Sequence, residues 1–210
     1  MRFALVCCAV AACLLNLATA QMIRQCSCAE VGPCKNQYAN SVIPCADQCQ
    51  KHAASVGANY PQLRACLVSH EAQFRAAMTC MEQKHSQSCS NGGGGMVQKR
   101  YPETLKIAAM SEIDSMLNKL GIAGQVKGLM ATGKKLFSCM RKCVDAKAGG
   151  CGKKLGCGLQ LPADSVLVQQ AKQCAIQAGF NTPTLQSICK CAAASGISQL
   201  NAICPRIQIV

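Results

Sequence analysis

The chain has 210 residues, of which 50% are hydrophobic and only 3% are aromatic, and its formal net charge is +13 at pH 7. No stretch after residue 20 is long and apolar enough to span a membrane, so we expect no transmembrane segment in the mature chain. The positive charge attracts polyanions such as glycosaminoglycans, anionic lipids and nucleic acids, although it also serves plain solubility.

Residues 1–20 have the order of features of a secretory signal peptide. Arg2 supplies the positive start, residues 3–17 form an apolar run, and Ala18-Thr19-Ala20 offers the small residues at which signal peptidase cuts. A membrane anchor is the alternative, but the run is shorter than the roughly 20 apolar residues that a spanning helix needs. We therefore expect a secreted, extracellular protein.

Cysteine usage agrees with export. Three of the 19 cysteines fall in residues 1–20, and the sixteen that remain are an even number that can pair fully in an oxidising compartment. Zinc binding is the alternative, but the CxxC…CxxC arrangement is absent, so we expect no metal and no other cofactor. The predicted disulfide-forming residues are Cys26, Cys28, Cys34, Cys45, Cys49, Cys66, Cys80, Cys89, Cys139, Cys143, Cys151, Cys157, Cys174, Cys189, Cys191 and Cys204.

The glycine run at positions 92–95 divides the mature chain. Four consecutive glycines predict a flexible linker, residues 91–100, which ends in the dibasic pair Lys99-Arg100. We expect this pair to be exposed, as a processing protease requires. Eight cysteines lie on each side, so each half can close its own disulfides, although bridges between the halves stay open. The prediction is two eight-cysteine helical modules, residues 21–90 and residues 101–210, the second of them basic.

Hydrophobic periodicity predicts helices through most of both halves, and runs with the alternating pattern of strands are scarce. In chain order, the predicted helices run from Pro61 to about Met81, from Pro102 to a stop at Gly121, from Ala123 to Ala148, and onward from Pro162 and from Pro183. Leu105 begins the inward face of the second of them. The predicted fold class is all-α, with small helical modules cross-linked by disulfides.

A Gly-x-Asn-x-Pro-x-Leu segment occurs once in each half, at Gly57 and at Gly179. In each, glycine is expected to stop one helix, asparagine to act as a cap or turn residue, and proline to occupy the first turn of the next helix.

Two cysteine pairs lie four residues apart inside predicted helical segments, Cys45/Cys49 and Cys139/Cys143. This spacing places both sulfurs on one helix face, where helix geometry does not set up a bridge between them. We expect each pair to bridge outward as two rungs. The two cysteines of Cys26/Cys28 are separated by one residue and should likewise bridge to different partners. The same holds for Cys189/Cys191.

Several cysteine segments follow one another in the first half at a recognisable spacing: Cys26-Ser-Cys28, Pro33-Cys34, Cys45-Ala-Asp-Gln-Cys49 and Leu63-Arg-Ala-Cys66-Leu67. In this spacing, residues 26–67 resemble secreted cysteine-rich helical proteins of unknown function found in nematodes. The resemblance implies no catalytic or binding residue.

The segment from Lys119 to Lys154 contains nine Lys or Arg residues and one acid, Asp145. On a helix, its basic residues form a cationic stripe opposite an apolar face. We define the stripe as Lys127, Lys134, Lys135, Arg141 and Lys142. Three interpretations are open: the stripe is the solvent-exposed face of a core helix, a docking surface for acidic polymers, or part of a membrane-surface helix. Glycines at 124, 128 and 133 weaken the last interpretation.

No catalytic pattern is present. A secreted, basic, disulfide-rich helical chain invites comparison with phospholipase A2, but here His52 is followed by Ala53 instead of the aspartate that orients the imidazole. His70 lies on an apolar stripe, as a buried histidine does. We therefore expect a non-enzymatic protein that binds an acidic polymer or an anionic surface. The alternatives are a carrier of a small apolar ligand between helices and a precursor cleaved at Lys99-Arg100.

Overall fold

Helices form nearly all of the regular structure in the computed structural model, which describes residues 21–54, 57–147 and 154–209. The predicted signal peptide and Cys151 lie outside these ranges. The all-α prediction is confirmed. The α-helices of the described part are α1 Cys28–Gln48, α2 Lys51–Ala54, α3 Tyr60–Val68, α4 Glu71–Lys84, α5 Pro102–Lys119, α6 Ala123–Lys147, α7 Asp164–Gln177 and α8 Thr182–Ala194. Two 3₁₀ helices follow, Ser198–Ala202 and Cys204–Arg206, and two short strands are β1 Met22–Arg24 and β2 Met96–Gln98.

The repeated Gly-x-Asn-x-Pro segments act as predicted at both places. Gly57 and Gly179 have φ angles of 84° and 93°, which side chains with a Cβ rarely adopt. Asn59 and Asn181 then cap α3 and α8, each accepting a hydrogen bond from the backbone N–H three residues later. Local chemistry therefore decides where these two helices begin.

The helix predicted from Pro61 to Met81 is two helices, α3 and α4. The chain turns at Ser69, whose hydroxyl donates a hydrogen bond of 2.8 Å to the carbonyl of Cys66. His70 is the N-cap residue of α4, half-buried, with its Nδ1 2.5 Å from Oε1 of Gln73. The apolar spacing continues across the turn, which is why periodicity does not reveal it.

The second predicted helix has the predicted ends, but its inward face begins later than the predicted Leu105. It forms α5, and Gly121 ends it with a φ of 66°. Leu105 is nevertheless exposed, and Ile107 is 68% exposed. Glu103, in the first turn of α5, contacts α6 through its ion pair with Arg141, and Glu112, farther along α5, contacts α7 through Lys172.

Disulfides connect the two sides of the glycine run. The described bridges are Cys26–Cys157, Cys28–Cys89, Cys45–Cys143, Cys49–Cys139, Cys66–Cys191, Cys80–Cys174 and Cys189–Cys204. Cys34 is disulfide-bonded as well. Of these seven bridges, five cross from residues 21–90 to residues 101–210, so the expectation that each half closes its own set is wrong. Cys45 and Cys49 do bridge outward, to Cys143 and Cys139, and these two rungs join the C-terminal end of α1 to α6. The two cysteines of Cys26/Cys28 bridge to different partners, and so do those of Cys189/Cys191.

The predicted linker is partly a strand. Within residues 91–100, β2 pairs antiparallel with β1, and Val97 is opposite Ile23 in a buried position. The carbonyl of Gly95 accepts a hydrogen bond of 2.8 Å from the backbone N–H of Gln25. The glycines at 92–95 are exposed, but the chain beyond them is held against the first residues of the described part.

Candidate polyanion-binding surface

The cationic stripe lies on the outer face of α6. All five of its side chains are exposed. On the opposite face, Val126 and Val144 are each 8% exposed, and the two rungs to α1 attach there through Cys139 and Cys143. Packing against α1 therefore orients the helix so that its positive charges face solvent.

A tight turn sets α5 beside the start of α6. Ile122, in this turn, is 1% exposed and packs with Val126 and Ile203 in one small core. The guanidinium of Arg206 donates 3.2 Å hydrogen bonds to the carbonyls of Leu120 and Gly121, which the end of α5 would otherwise leave unpaired. The segment that contains Arg206 thus stabilises the hairpin that α5 and α6 form.

A groove of about 320 Å³ runs between these two helices. We call it the α5–α6 groove and define it by its lining residues, which are Asp114 and Leu117 from α5 and Ala123, Lys127, Ala131 and Lys134 from α6. Two of the stripe lysines therefore line the groove together with three apolar side chains and one carboxylate.

Lys127 and Lys134 differ electrostatically from the third residue of their row. Arg141 has a carboxylate oxygen of Glu103 3.4 Å from its Nη1. In the described ranges, no carboxylate lies within 4.0 Å of the ammonium group of either lysine, and Asp114 has no cation within that distance. The positive charge of the groove is therefore not neutralised by ion pairing.

Sequence reasoning found the lysines but missed the α5 side of the groove. Asp114 and Leu117 precede the stripe in the chain, and no motif marks them. The one available signal is Gly121, because a helix stop directly before a second helix predicts an antiparallel pair and hence a shared groove.

A second cleft, of about 490 Å³, lies on another side of α6. It is lined by Gly57, Gln125, Gly128, Leu129, Gly196, Ser198 and Gln199. None of these lining side chains is charged, so the cleft does not extend the cationic stripe.

A polar cluster of a tyrosine, an aspartate and an arginine connects α1 to α3. Tyr60 donates a hydrogen bond of 2.9 Å to Asp47, and Arg64 forms an ion pair of 2.7 Å with the same carboxylate. Burial, followed by the bond to Asp47, raises the pKa of Tyr60 to about 12. The Arg64 hydrogen bond lowers the pKa of Asp47. The cluster contains none of the stripe residues, and its contacts join α1 to α3.

A second ion pair holds the start of α1. Glu30 completes a capping box with Ser27 and accepts hydrogen bonds of 2.7 and 3.0 Å from Arg24. The Arg24 hydrogen bond and then the Ser27 backbone N–H lower the pKa of Glu30 to about 2. The carboxylate therefore stays charged at neutral pH and stabilises the helix N-terminus.

The dibasic pair is less accessible than expected. The backbone N–H of Lys99 donates to the carbonyl of Gln21 at 2.7 Å, and its ammonium group donates to the Gln21 side chain at 3.1 Å. The guanidinium of Arg100 donates to Asp164 at 2.9 Å and to the carbonyls of Leu161 and Pro162. The expectation of a freely exposed pair is therefore wrong, because both side chains are half-buried and bonded.

Two features are absent from the part of the chain that the structure describes. No three His, Cys, Asp or Glu side chains are grouped there so that they could hold a metal ion. None of its helices combines the length and the apolar character that crossing a membrane requires.

Comparison with known proteins supplies no relative. No family model matches the chain, and no curated protein or solved structure is significantly similar to it. The resemblance to nematode secreted proteins therefore stays a prediction.

Proposed function

We propose that this is a secreted, non-enzymatic protein that binds an acidic polymer outside the cell through the cationic stripe on α6. The observation that carries the proposal is the pair of exposed lysines, Lys127 and Lys134, that line a groove and have no carboxylate paired to either among the described residues. Many disulfides are typical of proteins in oxidising, extracellular compartments.

The packing of α6 favours a polymer over a membrane surface. A helix that lies in a membrane interface inserts its apolar face among the lipids. Here that face is occupied by α1 and is linked to it through Cys45–Cys143 and Cys49–Cys139. The charged face is exposed, so α6 can bind a partner through its positive charges.

The two alternatives have less support. The 490 Å³ cleft is lined mainly by polar and glycine residues, which does not favour a carrier of an apolar ligand. A precursor cleaved at Lys99-Arg100 would need a protease to release Arg100 from Asp164.

Salt elution from immobilised heparin tests the proposal. Each lysine that meets an anion releases counterions, so binding should weaken steeply with salt. The variant Lys127→Gln/Lys134→Gln should elute at clearly lower salt than the wild type. The matched control is Lys84→Gln/Lys190→Gln, which removes the same charge from exposed positions on α4 and α8. Equal losses in the two variants would show that only net charge matters, and the stripe would be a solvated face.

A further inference from the structure

The α5–α6 groove contains both hydrogen-bond donors and an acceptor. Lys127 and Lys134 are two helical turns apart on α6, so their positions are separated by about 10 Å along the helix axis. Asp114 contributes a carboxylate to the same groove. Within the described ranges, no ion pair or hydrogen bond engages these three side chains, so all three are available to one ligand.

Asp114 restricts which anions suit the groove. A ligand that carries only negative groups is attracted by the lysines and repelled by the carboxylate. A ligand that carries hydroxyl groups beside its negative group can satisfy both, because a hydroxyl donates to Asp114 while the anion accepts from Lys127 and Lys134. Acidic sugars have this combination, and polyphosphates do not.

The apolar lining and the size of the groove agree with a sugar ring. Leu117, Ala123 and Ala131 give an apolar surface against which the C–H face of a ring can pack. The volume, about 320 Å³, is near the lower end of the range of small-molecule sites. The groove therefore suits one unit of a polymer, with the neighbouring units along the rest of the stripe.

We propose that the α5–α6 groove is a subsite for one acidic sugar unit, and hence that the partner is an acidic polysaccharide. This inference rests on the proposed function and narrows it from acidic polymers in general to those that carry hydroxyl groups. It assigns Asp114 a role in specificity, as the acceptor of a sugar hydroxyl.

Calorimetric titration of Asp114→Asn with two probes tests the subsite. The probes are a heparin-derived hexasaccharide and an inorganic polyphosphate of matched charge, at one salt concentration. We expect the variant to bind the oligosaccharide about 2- to 10-fold more weakly, because the neutral amide oxygen of asparagine is a weaker acceptor for a sugar hydroxyl than a carboxylate is. It should bind polyphosphate more tightly, because a repulsive charge is gone. Glu82→Gln, an exposed charge-matched change on α4, should leave both affinities nearly unchanged.

A second variant tests the groove independently of Asp114. Ala131→Phe adds a bulky ring to the lining of the groove from an exposed position, so it should not disturb the fold. It should lower the affinity for the oligosaccharide and leave that for polyphosphate nearly intact. Tighter binding of both probes by Asp114→Asn, or equal losses of both in Ala131→Phe, would overturn the subsite while leaving polyanion binding in place. Failure of the wild type to bind either probe would instead overturn the proposed function.

Discussion

Arg100 and Asp164 are joined by a hydrogen-bonded ion pair of 2.9 Å, and their side chains are only 28% and 18% exposed. The pair fastens the end of the glycine-containing segment to the first residue of α7. Arg100, which the sequence assigns to a dibasic processing signal, thus takes part in a contact that stabilises the fold.

This contact predicts how trypsin attacks the folded protein. Cleavage after Arg100 requires the side chain to leave Asp164, so Asp164→Asn should raise the rate of that cut several-fold. Mass spectrometry of the first fragments, after reduction, measures it. Glu82→Gln is the control of equal charge. An unchanged rate in Asp164→Asn would show that the pair does not protect the site.

The bridges across the glycine run predict the behaviour of a nicked chain. We expect a protease recognition sequence inserted after Gly93 to be tolerated, because this residue is exposed and has open space around it. After complete cleavage the protein should migrate as one species without reductant and as two fragments with it. Fragments that separate without reductant would contradict the bridges between the halves.

Two glycines of the α5–α6 hairpin should respond oppositely to alanine. Gly121 has a φ of 66°, and a Cβ there would lie 3.2 Å from Nη2 of Arg206. Gly121→Ala should therefore destabilise the protein by about 1–2 kcal/mol. Gly133 lies inside α6 with open space at its Cβ position, so Gly133→Ala should stabilise it by about 0.5–1 kcal/mol. Denaturant unfolding measures both, and effects of the same sign would contradict this account.

The raised pKa of Tyr60 predicts a loss of stability in alkali. Its folded pKa is about 12 and its ordinary value is 10, so the neutral hydroxyl favours the folded state. This contribution is complete below pH 10 and is lost as the pH rises from 10 through 12. Tyrosinate absorbance should show a group with a midpoint near 12 that Tyr60→Phe removes. The variant should also lose less stability than the wild type over the same interval, and parallel losses would argue against the assignment.

Helix ends could be predicted because their causes are local. Asn59 and Asn181 cap helices with their own side chains, and Gly121 supplies a left-handed backbone that few other residues adopt. The spacing of Cys45 and Cys49 likewise places two sulfurs on one face of a helix, so outward bridging followed from helix geometry alone.

Partners distant in the chain could not be predicted. Sixteen cysteines allow a very large number of pairings, and only the packing of α1 against α6 brings Cys45 to Cys143. Arg100 reaches Asp164 for a similar reason, because the β1–β2 ribbon directs the chain toward the start of α7.

The sequence by itself determined the caps of α3 and α8, the stop of α5 and the row of lysines on α6, because each depends on residues within a few positions of one another. Only the tertiary structure decided which residues of that row are paired with a carboxylate and which are not. The packing of α5 beside α6 places Asp114 in the groove with Lys127 and Lys134, and it pairs Glu103 with Arg141. Charge neutralisation depends on distances through space between side chains from different helices, and no local pattern of residues encodes those distances.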